Sequence, residues 1–181
     1  GLNCSACSGI RTTRHNAVRD AVADGLVRIF SRAAVVVEPA TGQDLRRPDI
    51  LLTVGQKVWL IDIAVVNPAS SKHVSNGSDT VPLAASAAME TKKRADYAPT
   101  LPVLNLDPSA LVPFVVEATG RLGKGALDFL DALLTAPGRN PHCNVSNTTR
   151  FMIGRITAAI IRGNSLALAA TAENLQTVVN A

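Results

Sequence analysis

A chain of 181 residues, 47% of them hydrophobic, suits one globular domain, or a domain with a small appendage, and can bury a sizeable core. Aromatic residues make up only 3%, so that core must come mainly from Val, Leu, Ile and Ala. Three cysteines (Cys4, Cys7 and Cys143) argue against a disulfide framework and for a reducing compartment, and a net charge of +4 leans weakly towards polyanionic partners. No apolar run reaches the length of a membrane span, and no signal-peptide pattern is visible from Gly1 onward. The N-x-S/T sequons at Asn3, Asn76, Asn144 and Asn147 therefore read as chance matches. The opening at Gly1, with no Met, is expected of a piece cut from a longer polypeptide.

From Thr12 the apolar positions Val18, Val22, Leu26, Ile29 and Phe30 form a helical stripe, with Thr13 or Asn16 placed to cap its start. "AVVVEP" predicts a short strand ending near Glu38, and "TGQDLRRP" a loop. "DILLTV" and "KVWLIDIAVV" predict two strands joined by a tight turn at Gly55-Gln56. "NPASSKHVSNGSDT" reads as a polar loop, and "PLAASAAMETKKRADYA" as a helix of good formers. "TLPVLNL" and "LVPFVVEAT" are expected as short strands, and "GKGALDFLDALLTA" as a helix stopped at Pro137-Gly138. The remainder predicts one or two helices, broken near Gly163-Asn164. Central apolar strands flanked by helices make an α/β layered domain.

One residue interrupts this pattern. Asp62 is the lone acid in the apolar run from Val58 to Val66, where a carboxylate is costly unless something binds it. Asp49 begins the preceding strand, so in a hairpin both acids reach the same end of the sheet. Two carboxylates so placed repel, and one would stay protonated. A hard divalent cation, which takes oxygen ligands, removes the conflict and can then bind a phosphate and a water together. The following helix offers Glu90, Lys93 and Tyr97 at i, i+3 and i+7, on one face. This set suits phosphodiester hydrolysis, with the lysine neutralising developing charge or positioning water.

Simpler roles stand beside these. Asp49 could merely start a strand, Asp62 could pair with Arg46 or Arg47, and Glu90 with Lys93 or Arg94. Glu38 is either a third metal ligand or a salt-bridge partner at a strand end, with Asp20 a weaker alternative as third acid. Arg11, Arg14, Lys92 and Arg94 either contact phosphates or are solvated charge. His15 fits a structural or phosphate-facing role better than a catalytic one. Cys4 and Cys7 form a zinc half-site that only the distant His142-Cys143 pair could complete.

Pro48-Asp49, twelve intervening residues, Asp62 and then Lys93-x-x-x-Tyr97 together resemble the PD-(D/E)xK nuclease superfamily. More narrowly, they resemble the restriction-like endonuclease at the C-terminus of site-specific non-LTR (LINE-type) retrotransposon proteins. Arg14-His15-Asn16 resembles the "RHN" that follows that family's zinc knuckle, Glu38-Pro39 precedes the PD loop, and "VPFVVEATGRLG" resembles the segment after the core. The resemblance runs from about Cys4 to Asn164.

It departs from the superfamily at Ala64, where a lysine is usual two residues after the second acid. The retrotransposon branch carries its lysine on the later helix, which Lys93 matches, with the adjacent Lys92 as the alternative. The resemblance also makes Cys4 or Cys7 the last ligand of a knuckle whose other ligands precede Gly1, so zinc is expected only in the full-length protein.

What the resemblance implies is a restriction-endonuclease-like core, a central mixed sheet flanked by helices, at 12–120. A zinc-knuckle remnant at 1–11 precedes it and a helical extension at 121–181 follows. It implies a Mg²⁺- or Mn²⁺-dependent nuclease that nicks double-stranded target DNA in the nucleus. Asp49 and Asp62 would hold the metal, with Lys93, Tyr97 and Glu38 completing the catalytic set and Arg14, His15, Lys92 and Arg94 contacting nucleic acid. Its partners would be the reverse transcriptase domain of the same polyprotein and the element RNA, with no membrane. A nucleic-acid-binding module of the same fold that has lost hydrolysis is the alternative.

Overall fold

The computed structural model describes residues 8–40 and 45–179. Cys4 and Cys7, the expected zinc half-site, lie outside them, as does part of the loop before Pro48. The chain runs α1 (Ser8–Ile29), β1 (Val35–Val37), β2 (Ile50–Val54), β3 (Lys57–Val66), α2 (Ser71–Val74), α3 (Ala84–Tyr97), α4 (Thr100–Val103), β4 (Leu111–Glu117), α5 (Lys124–Thr135) and α6 (Val145–Val179). The four strands form one sheet in sequence order. β1, β2 and β3 are antiparallel neighbours and β4 joins β3 in parallel, so the sheet is mixed.

Both faces of the sheet are covered, which is why β3 and β4 read as nearly continuous apolar runs. Trp59, Ile61 and Ile63 of β3 and Val112, Phe114 and Val116 of β4 face a core shared with α1, α5 and α6. Phe129 of α5 meets Trp59 and Phe114 edge-on at centroid distances of 6.2 and 6.4 Å. The alternate residues of β3 face α3 and α4: Leu60 packs with Tyr97, Leu101 and Leu111, while Ala64 and Val66 pack with Ala85 and Val115. Asp62 stands between these two clusters on the α3 side, 6% exposed.

Several local expectations change. The first helix extends back to Ser8, and Thr13 does not cap it; its hydroxyl donates to the Gly9 carbonyl one turn back, at 3.0 Å. "TLPVLNL" is not a strand but the single turn α4, which ends at Asn105 in the left-handed region (φ 53°). Pro102 fits the first turn of a helix, where no N–H is needed. The polar loop after β3 contains the short helix α2. The break expected at Gly163-Asn164 is absent, and α6 runs through it as one helix of 35 residues. Gly163 instead admits the side chain of Arg14, since a Cβ there would come within 2.6 Å of Arg14 Cδ. A glycine inside a helix costs about 1 kcal/mol, too little to break one that packs along its length.

Residues 121–181 include α5 and α6, whose apolar faces belong to the main core rather than to a separate one. Ile156 is fully buried there, while Ile161, on the same helix, is 61% exposed. Ile156→Ala should therefore lower the unfolding free energy in urea by about 2–4 kcal/mol through the cavity it leaves. Ile161→Ala should stay within about 0.5 kcal/mol of wild type. Equal effects from the two would show that α6 is not built into the core.

Candidate active site

The β2–β3 ladder ends at Ile50↔Ile61; Asp49 is the residue just before β2, and Asp62 follows Ile61 midway along β3 with its side chain on the α3 face. Both acids thus stand where the β2–β3 hairpin ends, away from the Gly55-Gln56 turn, while β3 runs on beside β4 to Val66. Asp49 is tightly held. Its Oδ2 accepts the Ile63 N–H at 2.6 Å, its Oδ1 meets His15 Nε2 of α1 at 3.0 Å, and its carbonyl accepts the Glu38 N–H at 2.8 Å. With Asp49 ionised, the His15 nitrogen is the donor. Burial pushes the Asp49 carboxyl up, but the His15 hydrogen bond and charge, the Ile63 N–H and Lys93 outweigh it, and the group sits below its ordinary value.

Asp62 lies in the opposite regime. Lys93 Nζ approaches its Oδ2 at 2.5 Å, yet that oxygen has no aligned hydrogen-bond donor. Burial raises the Asp62 carboxyl, the attraction of Lys93 offsets this only in part, and the charge of Asp49 adds to the rise. Tyr97 is 1% exposed, and its hydroxyl likewise has no aligned partner. Burial, then the charges of Asp62 and Asp49, push the phenol above its ordinary value, so it stays neutral.

Lys93 and Tyr97 reach Asp62 because α3 is the crossover between the parallel strands β3 and β4 and lies across the face that carries the acid. Positions 85, 89, 93 and 97, four residues apart, form its inner stripe. Ala85, Met89 and Tyr97 pack on the sheet, and Lys93 occupies the remaining place. Ala64, the position after Asp62 on that face, is 8% exposed among Ala85 and Met89. Lys92, about 100° further round the helix, points outward and pairs with Asp96 at 2.5 Å. Arg46 also goes to Asp96, at 3.1 Å, and not to Asp62.

The other expected residues divide. Glu38 is the salt-bridge partner of its two expected roles: Arg19 and Arg47 both engage its carboxylate. Asp20 is likewise taken by Arg19, at 2.9 Å. Glu90 lies two turns from Tyr97 on α3 and accepts the Gly125 N–H at 3.0 Å, in the first turn of α5, where a carboxylate meets the positive end of the helix dipole. Arg14, expected at a phosphate-facing surface, is instead 5% exposed, and its Nη1 donates to Asn164 Oδ1 at 2.6 Å. Arg94 is exposed and lines a groove with Leu101 and Leu111. Cys143 Sγ lies 3.3 Å from Thr148 Oγ1, and among the described residues no three His, Cys, Asp or Glu side chains converge as metal ligands.

Sequence reasoning missed two features. The His15–Asp49 contact joins elements 34 residues apart and leaves no local signal. Glu117, 3% exposed at the end of β4, accepts from Ser86 Oγ at 3.1 Å. An acid closing the run "VPFVVE" was open to the same reasoning that singled out Asp62. No protein-family model matches this chain, and no curated protein gives a significant match to it.

Opposite perturbations of the two acids predict opposite effects of neutralising them. The raised Asp62 carboxyl destabilises the fold as pH rises above the unfolded value of about 3.9. Asp62→Asn should therefore gain stability relative to wild type between pH 4 and 7. The depressed Asp49 carboxyl stabilises above that same value and loses its contribution as pH falls through its lower folded value. Asp49→Asn should be destabilised at pH 7, with the loss fading below about pH 3.9. Urea unfolding across pH tests both, and differences of the same sign at pH 7 would refute this electrostatic arrangement.

Proposed function

We propose that this chain is a metal-dependent endonuclease domain that nicks duplex DNA, with a PD-(D/E)xK-type core built on β2, β3 and α3. The observation that carries the reading is the pair of neighbouring carboxylates, Asp49 just before β2 and Asp62 within β3, with a lysine ammonium 2.5 Å from one of them. The donor set fits Mg²⁺ or Mn²⁺, because both acids offer hard carboxylate oxygens. Asp49 and Asp62 would hold the ion, which when bound supplies Lewis acidity at the scissile phosphate and a more acidic water. With only two protein carboxylates, the remaining ligands would be water and phosphate oxygens, as Mg²⁺ commonly takes.

The chain's own groups have distinct tasks. His15 and the Ile63 N–H fix the orientation of Asp49. Lys93 balances Asp62 in the resting state and is placed to neutralise charge developing on the phosphate. Tyr97 keeps a neutral hydroxyl beside the acids and fills the wall behind them. On the resemblance to retrotransposon endonucleases, the nick would be made in nuclear DNA. Its 3′-hydroxyl would prime copying of the element RNA by a reverse transcriptase domain of the same polyprotein. The buried Ala64, where the superfamily usually has a lysine, favours a second reading in which the fold binds nucleic acid without cutting it.

Nicking of supercoiled plasmid in Mg²⁺ separates the two. Wild type is expected to nick, and Asp62→Ala to abolish nicking while still binding DNA. In single turnover Lys93→Ala should be slower by about two to three orders of magnitude, the usual size for losing one electrostatic donor. Lys92→Ala should act mainly through affinity and its salt dependence. Absence of metal-dependent nicking by wild type leaves the binding module, and a larger loss from Lys92 than from Lys93 would remove Lys93 from the site.

A further inference from the structure

Positive charge collects where α1 crosses α6, next to the acid pair but not part of it. Arg14 lies buried at that crossing, its stem against Gly163, and its Nε has no hydrogen-bond partner. It is shared by two hollows. One, of about 410 Å³, is the cleft between the helices, lined mainly by apolar residues of both and also by Thr13, Asp20, Arg155 and Arg162. The other, of about 290 Å³, is lined by Arg11, Thr12, His15 and Val65. His15 is the residue that holds Asp49, so the smaller hollow adjoins that contact, and the larger one, on the other side of Arg14, reaches Arg162 in the middle of α6.

The acids here are already answered: Asp20 meets Arg19 at 2.9 Å, and Arg155 meets Asp24 at 2.5 Å. Arg11 and Arg162 are exposed and have no ion-pair partner among the described residues. Two exposed, unpaired guanidiniums flanking a buried one make a positive surface suited to an anion with several oxygens, which Arg11 and Arg162 can reach and the buried Arg14 cannot. On α3, by comparison, Lys92 is already engaged by Asp96, and Arg94 borders an apolar groove with Leu101, Leu106 and Leu111.

We propose that the groove running from His15 past Arg14 to Arg162 holds backbone phosphates of the DNA duplex whose scissile bond lies at Asp49 and Asp62. This rests on the nuclease reading and adds the path of the substrate, which crosses the α1–α6 side of the domain rather than the outer face of α3. Arg11 and Arg162 contact phosphates directly, and Arg14 holds the two helices at the spacing the groove requires.

Anisotropy of a labelled short duplex, titrated in EDTA to prevent cutting, tests the path. Arg11→Ala and Arg162→Ala should each weaken binding about 5-fold at physiological salt and lower the slope of log K against log salt by about 1. Arg162→Lys should keep most of both, since a phosphate contact requires the charge. Arg32→Ala removes the same charge just past the far end of α1, where the side chain is also exposed, and should change neither. The proposal is overturned if the Arg11 and Arg162 variants bind like Arg32→Ala, or if wild type does not bind the duplex. Plasmid nicking is scored separately. Nicking that needs Asp62 but binding indifferent to Arg11 and Arg162 removes the groove and leaves the nuclease. Binding that needs both arginines without nicking keeps the groove and removes the nuclease.

Discussion

A carboxylate on the covered face of a sheet must be balanced by a charge, and in this protein Lys93 of α3 supplies it. The remaining features of the site follow from that contact. β3 carries Asp62 inward, so the element packed over it has to present a cation there. α3 does so because it is the crossover between the parallel strands β3 and β4, which lays it along that face. The inner stripe of α3 is apolar at Ala85, Met89 and Tyr97 and charged only at Lys93.

The two aspartates are chemically alike but held differently. Asp49, at the end of the ladder, receives a backbone N–H and an imidazole and is stabilised as an anion. Asp62 sits deeper, with one imperfectly aligned cation and Asp49 nearby, and its ionised form is disfavoured. The pair is therefore asymmetric without any ligand, a firm anion beside a reluctant one. Pairs of titratable groups pushed apart in this way recur at functional sites, although structural ion pairs produce them too.

The opposite layer fixes the frame. α1 and α6 approach closely because glycines stand at the crossings: Gly25 against Met152, and Gly163 against the stem of Arg14. Asn164 then ties the crossing to the sheet, accepting from Arg14 and donating to the Ala118 carbonyl at 2.7 Å. Through Arg14 and its neighbour His15, the packing of the two longest helices is coupled to the orientation of Asp49.

Residue order alone made much of this legible. The apolar run of β3, the Gly55-Gln56 turn, the helix leading to Tyr97 and the hairpin that brings Asp49 towards Asp62 all follow from patterning and turn chemistry, which act over a few residues. The anomaly of Asp62 was visible for the same reason, since one acid in an apolar run has no local partner. Tertiary structure decided the rest. It chose between Lys92 and Lys93 as the partner of Asp62, because 100° of helix rotation has no meaning until the helix has something to face. Packing against Leu60 and Leu111 made "TLPVLNL" a helical turn, and Arg14 turned Gly163 from an expected break into a contact. Arg14 itself went from expected surface to interior, because whether a cation lies at a surface or at a helix crossing depends on an element some 150 residues away in the chain.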